Sequence, residues 1–260
     1  MTAVRRGFFG LLAIAALALS GPVAMLADED VTLGGAWYDT DRSSAGLAPA
    51  PAHTPEAVVQ VYAARTFSWR GLFAVHTWVA TKPAGATTYT AHHVTAWSHP
   101  ALSSREGAPD RRWAGALPRL LLDLRGGVAE RAIDHINKAM PEYPFSEYRI
   151  WPGPNSNTFT AWLVRKVPEL NVELPATAIG KDYLDDTLIA PAPSASGYQL
   201  SLHGALGVLA AWDEGIEINL FGLVWGIDPA DLAIKWPGVG RLGFDTPWPT
   251  QRGLNSVGTP

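Results

Sequence analysis

The order of hydrophobic and polar positions divides the chain into an apolar N-terminal segment, two strand-rich parts and a helical part between them. Residues 7–27 carry no charge. As a helix they would span about 31 Å at ~1.5 Å per residue, which is close to the ~30 Å hydrocarbon core of a bilayer. Residues 28–56 are rich in Ser, Ala, Pro and Asp, which predicts an extended lead-in to the folded part.

Strand patterns come first after this lead-in. The segments 57–64, 72–80 and 87–97 are dense in Val, Tyr, Trp and Thr and are bounded by Gly, Pro or Arg, which is typical of β-strands. The short connection between the second and third segments predicts a hairpin.

A helical period replaces the strand pattern in the middle of the chain. Residues 126–140 predict a first helix, because their apolar residues from 128 to 140 share one helical face, and Pro141 ends the run. Residues 156–167 predict a second helix, which Pro168 ends. The last third returns to strand patterns, with a turn at 213–215.

The order of strands, helices and strands predicts an α+β fold with an antiparallel sheet packed on helices. We expect residues 57–190 to form the α+β domain. We expect residues 191–260 to be a β-rich C-terminal part of the same domain, which completes or extends the sheet.

Charges around the apolar segment predict a location in the cell. Arg5 and Arg6 precede it and the acidic run at 28–30 follows it, an arrangement that favours a cytoplasmic N-terminus. We therefore expect residues 1–27 to anchor the chain in the cytoplasmic (inner) membrane, with the main domain in the periplasm or otherwise outside the cytoplasm. A cleaved signal peptide is the alternative, because Ala18–Ser20 is a fair small-residue cleavage site.

Composition excludes several classes of function. The chain has 20 basic and 24 acidic residues, a net charge of -4, and no basic cluster to neutralise phosphates, so nucleic acid is not an expected partner. It has no cysteine, which excludes disulfides, thiolate catalysis and Cys-type zinc sites. His92 and His93 are neighbours on a predicted strand and point to opposite faces. We therefore expect no metal site and no cofactor.

A set of residues suited to nucleophilic catalysis remains. His76 lies in an apolar strand, and His92 or His93 on the following strand can lie across from it in a hairpin. Ser156 lies at the start of a predicted helix, where partial positive charge and unpaired N–H groups can stabilise an oxyanion. The hypothesis makes Ser156 the nucleophile, His76 the base, His93 the group that orients it, and Asn155 an oxyanion donor.

A structural interpretation competes with this hypothesis. Ser and Asn are favoured helix N-caps, so Asn155 or Ser156 can be present only to start the helix. His76 would then be a core histidine bonded to a backbone carbonyl. Trp78, Lys181 and Asp182 are the candidate substrate contacts, although a buried tryptophan and a solvated turn explain them as well.

Four segments together resemble a bacterial family of membrane-associated proteins of unknown function: "DRSSAGLAP", "VYAARTFSWRGLFAVHTWVATKP", "WPGPNSNTFTAW" and "LPATAIGKDY". This resemblance runs over nearly the whole chain beyond the N-terminal segment and implies no established activity.

The chain is also distantly similar to the circularly permuted papain-like proteins, the group of lecithin retinol acyltransferase and bacterial cell-wall peptidases. In that group a strand histidine is followed by a polar residue on the next strand and later by an Asn-Cys pair that opens a helix. His76, His93 and the pair Asn155–Ser156 occupy the same order, with serine in place of the cysteine. This departure leaves open a serine variant, a fold reused for binding, or no relationship.

Two functions follow from these observations. The first is a membrane-tethered hydrolase or acyl-transferase acting on an amide or ester of the cell envelope, such as peptidoglycan or lipid. The second is a non-catalytic envelope module that binds a ligand or partner in the same cleft.

Overall fold

The structure of the protein is a computed structural model that describes residues 3–243. Residues 1–2 and 244–260, the outer ends of the predicted N-terminal and C-terminal parts, lie outside the described residues. The described residues form three α-helices and twelve β-strands. The helices are α1 (Ala3–Ala24), α2 (Gly126–Ala139) and α3 (Ser156–Lys166). The strands are β1 (Val58–Arg65), β2 (Val75–Lys82), β3 (Tyr89–Val94), β4 (Leu102–Gly107), β5 (Arg119–Arg125), β6 (Ile189–Pro191), β7 (Gly197–Leu202), β8 (Leu206–Ala211), β9 (Gly215–Leu220), β10 (Leu223–Asp228), β11 (Ala233–Trp236) and β12 (Gly240–Leu242).

The first five strands form one antiparallel sheet with the order β4-β3-β2-β1-β5. Helices α2 and α3 pack on one of its faces, because their apolar sides bury against the Val-rich strands β1 and β2. The core between sheet and helices includes Val59, Val61, Val79, Ile136, Phe159 and Leu163. The predicted α+β class with an antiparallel sheet on helices is therefore confirmed.

The strand segments predicted at 57–64, 72–80 and 87–97 correspond to β1, β2 and β3, with boundaries shifted by a few residues. The helices predicted at 126–140 and 156–167 correspond to α2 and α3. Strands β4 and β5 were not predicted. The sequence of β4 is polar because it is an exposed edge strand, so it carries no buried apolar alternation.

Strands β2 and β3 pair over a short stretch and then part. Their register joins Val79 to His92 and Thr81 to Thr90. Nearer the start of β2, the backbone of Val75 donates to the carbonyl of Thr177 (3.1 Å) instead of to β3. The gap between the two strands admits the start of α3, which places that helix end beside this part of β2.

The last seven strands form a separate antiparallel sheet with the order β12-β11-β10-β9-β8-β7-β6. The expectation that this part completes or extends the first sheet is therefore wrong. The second sheet packs on the rest of the protein through its face and not through an edge strand. On that inner face, Glu217 and Lys235 pair with Lys181 and Glu173 of the preceding chain.

The two faces of the second sheet have inverted polarity. Charged and polar residues point inward and are buried, whereas the opposite face is exposed and apolar. We call this opposite face the apolar outer face. On the strands it consists of Ile189, Pro191, Tyr198, Leu200, Leu202, Leu206, Val208, Ala210, Ile216, Ile218, Leu220, Leu223, Trp225, Ile227, Ile234, Trp236 and Leu242.

The N-terminal helix is long and apolar enough to cross a membrane over Arg5–Ala27, with a mean hydropathy of 2.1, a property that signal sequences share. Most of its described side chains are exposed. Its last turn contacts the connection between β11 and β12. There the indole N–H of Trp236 donates to Ser20 Oγ (3.0 Å), and a Cβ at Gly21 would lie 1.9 Å from the carbonyl oxygen of Pro237.

Candidate functional site

A cavity of about 1140 Å³ lies between the first sheet, the start of α3 and the turn between β9 and β10. His76, Asn155, Ser156 and Asn157 contribute polar groups to its wall. The rest of the wall is mainly aromatic. Its Phe, Tyr and Trp residues are Trp37, Phe67, Trp69, Phe73, Trp97, Trp113, Tyr148, Trp151 and Phe221.

Asn155 is the N-cap of helix α3. Its Oδ1 accepts hydrogen bonds from the backbone N–H groups of Asn157 (2.9 Å) and Thr158 (3.2 Å). The Thr158 hydroxyl accepts in return from the backbone N–H of Asn155 (3.1 Å), which completes a capping box. Ser156 is the first helical residue and does not cap the helix through its side chain.

The segments 151–162 and 174–183, which the sequence singles out, meet at this helix start. The Asn155 side-chain amide donates to the carbonyls of Ile150 (3.2 Å) and Ile179 (3.1 Å). Gly180 must be glycine here, because its φ is +100° and a Cβ would lie 2.3 Å from Asn155 Nδ2. All polar atoms of the Asn155 side chain are thus committed to holding the helix start.

Asn157 fastens the helix start to β2 on both sides of His76. Its Oδ1 accepts from the backbone N–H (3.1 Å) and the hydroxyl (2.9 Å) of Thr77. Its Nδ2 donates to the carbonyl of Val75 (2.9 Å). The amide therefore takes the place of a neighbouring strand where β3 has parted from β2. This contact brings Ser156 and His76, eighty positions apart, to the wall of one cavity.

His76 is held by an imidazole and an indole. Its Nε2 lies 3.2 Å from Nδ1 of His93, a hydrogen-bond distance. Its ring stacks on Trp113 with a centroid separation of 3.6 Å and an interplanar angle of 2°. Of the two histidines left open by the sequence, His93 is thus the one that contacts His76. His92 instead hydrogen-bonds with Thr81 (3.0 Å) and Ser104 (2.8 Å).

Burial keeps these three imidazoles neutral at pH 7. Burial, and then the neighbouring His93, hold the pKa of His76 well below 6.5. Burial, with smaller effects of His92 and Arg105, lowers the pKa of His93 to about 3. Burial lowers the pKa of His92 to about 4. Each ring can therefore donate at one nitrogen and accept at the other in this pH range.

These pKa values predict that acid destabilises the fold. An unfolded histidine binds its proton near pH 6.5, whereas folded His92 binds it only near pH 4. Between these values the unfolded state holds more protons. The contribution of neutral His92 to the free energy of unfolding is therefore fully present above about pH 6.5 and is lost as the pH falls. For His92, acidification from pH 7.5 to 4.5 should lower the free energy of unfolding by on the order of 2 kcal/mol.

Urea unfolding at pH 7.5 and 4.5 measures this loss. The variant His92→Gln should lose less stability than the wild type between the two pH values. His53 is exposed, so the control His53→Gln should behave like the wild type. An equal loss in His92→Gln and wild type would contradict the assignment.

The Ser156 hydroxyl has no hydrogen-bond partner among residues 3–243, although the residue is only 3% exposed. The Asn155 cap uses the backbone N–H groups of Asn157 and Thr158 and leaves the N–H of Ser156 outside this cap. His76 has its Nε2 occupied by His93, which leaves Nδ1 as the nitrogen available to another group. The hydroxyl and imidazole share the cavity wall and form no direct hydrogen bond with each other.

The three residues predicted as substrate contacts do not line this cavity. Trp78 is buried, stacks on Tyr62, and donates its indole N–H to the carbonyl of Pro109 (2.8 Å). Lys181 is fully buried and donates to Glu217. Asp182 accepts from the side chain of Asn219 (2.8 Å). These two charged residues belong to the contact between the segment that follows α3 and the inner face of the second sheet.

The sequence analysis missed Asn157 and Trp113 as parts of the site. A sequence signal existed for Asn157, because it is a second Asn within three residues at a predicted helix start. For Trp113 no local signal existed, because it lies in an irregular segment whose position depends on the whole fold. Within the described part of the chain, no group of three or more His, Asp or Glu side chains is arranged to hold a metal ion.

The fold and the site define an α+β protein with a histidine pair and a serine at one aromatic cavity. The elements that define it are the first sheet, helices α2 and α3 and the cavity residues from β1 to Ile179. Residues 56–183, which carry most of this site, match the model of a family described as "Protein of unknown function (DUF3750)". This match bears out a resemblance to a family of unknown function over residues 56–183. The expected extent over nearly the whole chain is not shown, because residues 41–49 and the second sheet lie outside the matched residues. Neither a curated protein nor a solved structure matches the chain.

Proposed function

We propose that the protein is a membrane-tethered serine hydrolase or acyl-transferase, a serine variant of the permuted papain-like arrangement, that acts on an ester or amide of the cell envelope. The observation that carries the proposal is the unbonded Ser156 hydroxyl, in a cavity whose wall also holds the His76–His93 pair. The order strand histidine, polar residue on the next strand, then nucleophile at a helix start is that of the resembling group, which has cysteine where Ser156 stands.

The proposed reaction begins with attack of Ser156 Oγ on the substrate carbonyl. His76 takes the hydroxyl proton at Nδ1 and later gives it to the leaving alcohol or amine. A water or an acceptor alcohol then releases the acyl group from Ser156 by the same steps in reverse. His93 holds the tautomer of His76 that carries its proton on Nε2.

The oxyanion donor in this proposal is the backbone N–H of Ser156 at the positive end of α3. Asn155 was the sequence-based choice for this role. Its side-chain amide donates to two backbone carbonyls, so we assign it the positioning of Ser156 instead.

The aromatic wall favours an apolar substrate. A cavity of about 1140 Å³ is slightly larger than most ligand sites, whose volumes are roughly 300–1,000 Å³. Nine Phe, Trp and Tyr side chains line the wall, and Arg70, Thr66 and Thr95 are its polar residues besides His76 and the segment 155–157. Of the two envelope substrates, lipid therefore fits better than a peptidoglycan peptide.

A fluorophosphonate probe carrying an alkyl chain tests the proposal, because it reacts covalently with activated serines. The wild type should be labelled, and Ser156→Ala should not be. Ser201 is equally buried but lies in the second sheet, away from the cavity, so Ser201→Ala should be labelled like the wild type. Equal labelling of Ser156→Ala and the wild type, or no labelling of the wild type, would overturn the proposal.

The second candidate function is a non-catalytic module that binds an apolar ligand. The observation that favours it is the lack of a hydrogen bond between Ser156 and His76 in a cavity lined mainly by aromatic rings. An unlabelled wild type that binds an alkyl-chain fluorophore, with binding weakened by Trp113→Ala, would support this function.

A further inference from the structure

We infer that the apolar outer face of the second sheet lies against the lipid bilayer. The inference goes beyond the proposed function, because neither Ser156 nor His76 takes part in it. A soluble sheet with one covered face normally points its apolar residues inward and its polar residues outward. Here the order is reversed.

The register aligns the apolar side chains of the outer face in rows across the strands. In one row Leu200 lies opposite Val208, which lies opposite Ile218, which lies opposite Trp225. A second row joins Tyr198, Ala210, Ile216, Ile227, Ile234 and Leu242. No charged residue of β6–β12 points to this face among the described strand residues.

The area of this face is at the upper end of what a soluble surface usually leaves exposed. The seven strands hold three to six residues each, and ~3.3 Å per residue at ~4.8 Å strand spacing gives a face on the order of 540 Å². The largest apolar patch of a typical monomer is about 300–600 Å² and is often functional. Individual side chains are open to solvent, with Ile218 46% and Leu200 53% exposed.

The ion pairs on the inner face of the second sheet fix which side of its strands points inward. Glu217 and Lys235 point inward and pair with Glu173 and Lys181. Because side chains alternate along a strand, this pairing fixes their neighbours Ile216, Ile218 and Ile234 on the outside. The ion pairs therefore orient the apolar side chains away from the protein.

The position of α1 indicates which partner covers the face. The Ser20 hydroxyl in its last turn accepts from the indole of Trp236, a residue of the outer face itself. The helix that is apolar enough to cross a membrane thus ends at the border of the apolar sheet. A bilayer that holds α1 would therefore lie close to the apolar outer face. A second copy of the chain would have to cover this face while lying beside the same helix.

The residue types at the margin fit the same partner. Trp212 at the turn between β8 and β9 is 75% exposed, and Trp225, Trp236 and Tyr198 lie on the face. Trp and Tyr are enriched where protein meets the membrane–water interface. Since the face carries no charge, its contact with lipid depends on apolar burial and does not require anionic headgroups.

The cavity lies at one end of this sheet. Phe221, in the turn that follows β9, and Leu223, at the start of β10, both line the cavity. Phe221 is 66% exposed, and Trp69 and Trp151 on the rim are also exposed. If the outer face contacts lipid, the cavity rim lies at the membrane surface, where an acyl chain can enter it.

Site-directed spin labelling of the full chain in phosphatidylcholine bilayers tests the inference. The chain has no cysteine, so Ile218→Cys places a single nitroxide on the outer face. Glu130→Cys on exposed α2 is the aqueous control, and Leu12→Cys on α1 is the control for the apolar helix. The measured quantity is the collision rate with oxygen relative to that with a water-soluble nickel chelate.

We expect this ratio to be severalfold higher at Ile218→Cys than at Glu130→Cys. Leu200→Cys, in the same row, should agree with Ile218→Cys, and Ser156→Ala should leave both ratios unchanged. A ratio at Ile218→Cys equal to that at Glu130→Cys would mean that water covers the face, which overturns the inference. Protection from both reagents, with spin–spin broadening between copies, would show that a second copy covers it and would also overturn the inference.

Discussion

Replacing His76 with glutamine is expected to lower the second-order rate constant for fluorophosphonate labelling of Ser156 by about 10²- to 10⁴-fold, the usual range for loss of a general base. Glutamine keeps a polar side chain that can still face His93 Nδ1, but its amide cannot take the Ser156 proton. The measurement is the time course of labelling at several probe concentrations. Because burial holds the pKa of His76 well below 6.5, His76 stays neutral in this range, and the wild-type labelling rate should stay constant from pH 8 to 6.

His92→Gln is the matched control for this experiment. His92 is also buried on the same sheet, but it hydrogen-bonds with Thr81 and Ser104 and does not line the cavity. Its labelling rate should match that of the wild type. If His76→Gln reacts as fast as His92→Gln, His76 is not the base, and the His76–His93 pair has a structural role only.

Replacing Glu217 with alanine is expected to lower the free energy of unfolding by about 3–5 kcal/mol, the range for breaking a buried ion pair. Glu217 is 2% exposed and accepts from both Lys181 and Lys235, the latter at 2.7 Å. Burial alone would raise the pKa of Glu217, yet the two ammonium groups lower it. Removing the carboxylate leaves two buried cations with less compensation and opens a cavity under the inner face of the second sheet.

Chemical denaturation followed by circular dichroism measures this loss. Glu130→Ala, which removes an exposed carboxylate from α2, should change the free energy of unfolding by less than about 0.5 kcal/mol. Glu217→Gln keeps the shape and should lie between the wild type and Glu217→Ala. A loss below about 1 kcal/mol in Glu217→Ala would mean that water reaches the lysines and that the network is weaker than its burial indicates.

Local signals were enough to predict three of the five strands of the first sheet, β1, β2 and β3, and the two helices that pack on it. The apolar runs at β1 and β2, the break before β3 and the Asn at position 155 each carry a physical signal that acts over a few residues. For the same reason the candidate site was predicted in outline. His76 and Ser156 were each identified from their own surroundings, on an apolar strand and at a helix start.

Long-range features were not predictable in this way. Asn157 substitutes for a strand because β2 and β3 part, and this depends on the register of the hairpin. Lys181 and Asp182 lie in what the sequence presents as a polar turn, but residues some 35 positions later bury them. Apolar and polar residues alternate along β7 and β9, which indicates that each strand has an apolar and a polar face. The alternation does not indicate which of the two faces packs on the rest of the protein.

The ion pairs between the segment after α3 and the second sheet also determine where the chain can be divided. The family match ends at residue 183, directly after Lys181 and Asp182. A fragment cut at this boundary would present both side chains to water without Glu217 and Asn219, and would lack the cavity wall that Phe221 provides. The segment that sequence similarity delimits is therefore smaller than the unit that folds and encloses a ligand, and expression for biochemistry should extend to at least Leu242.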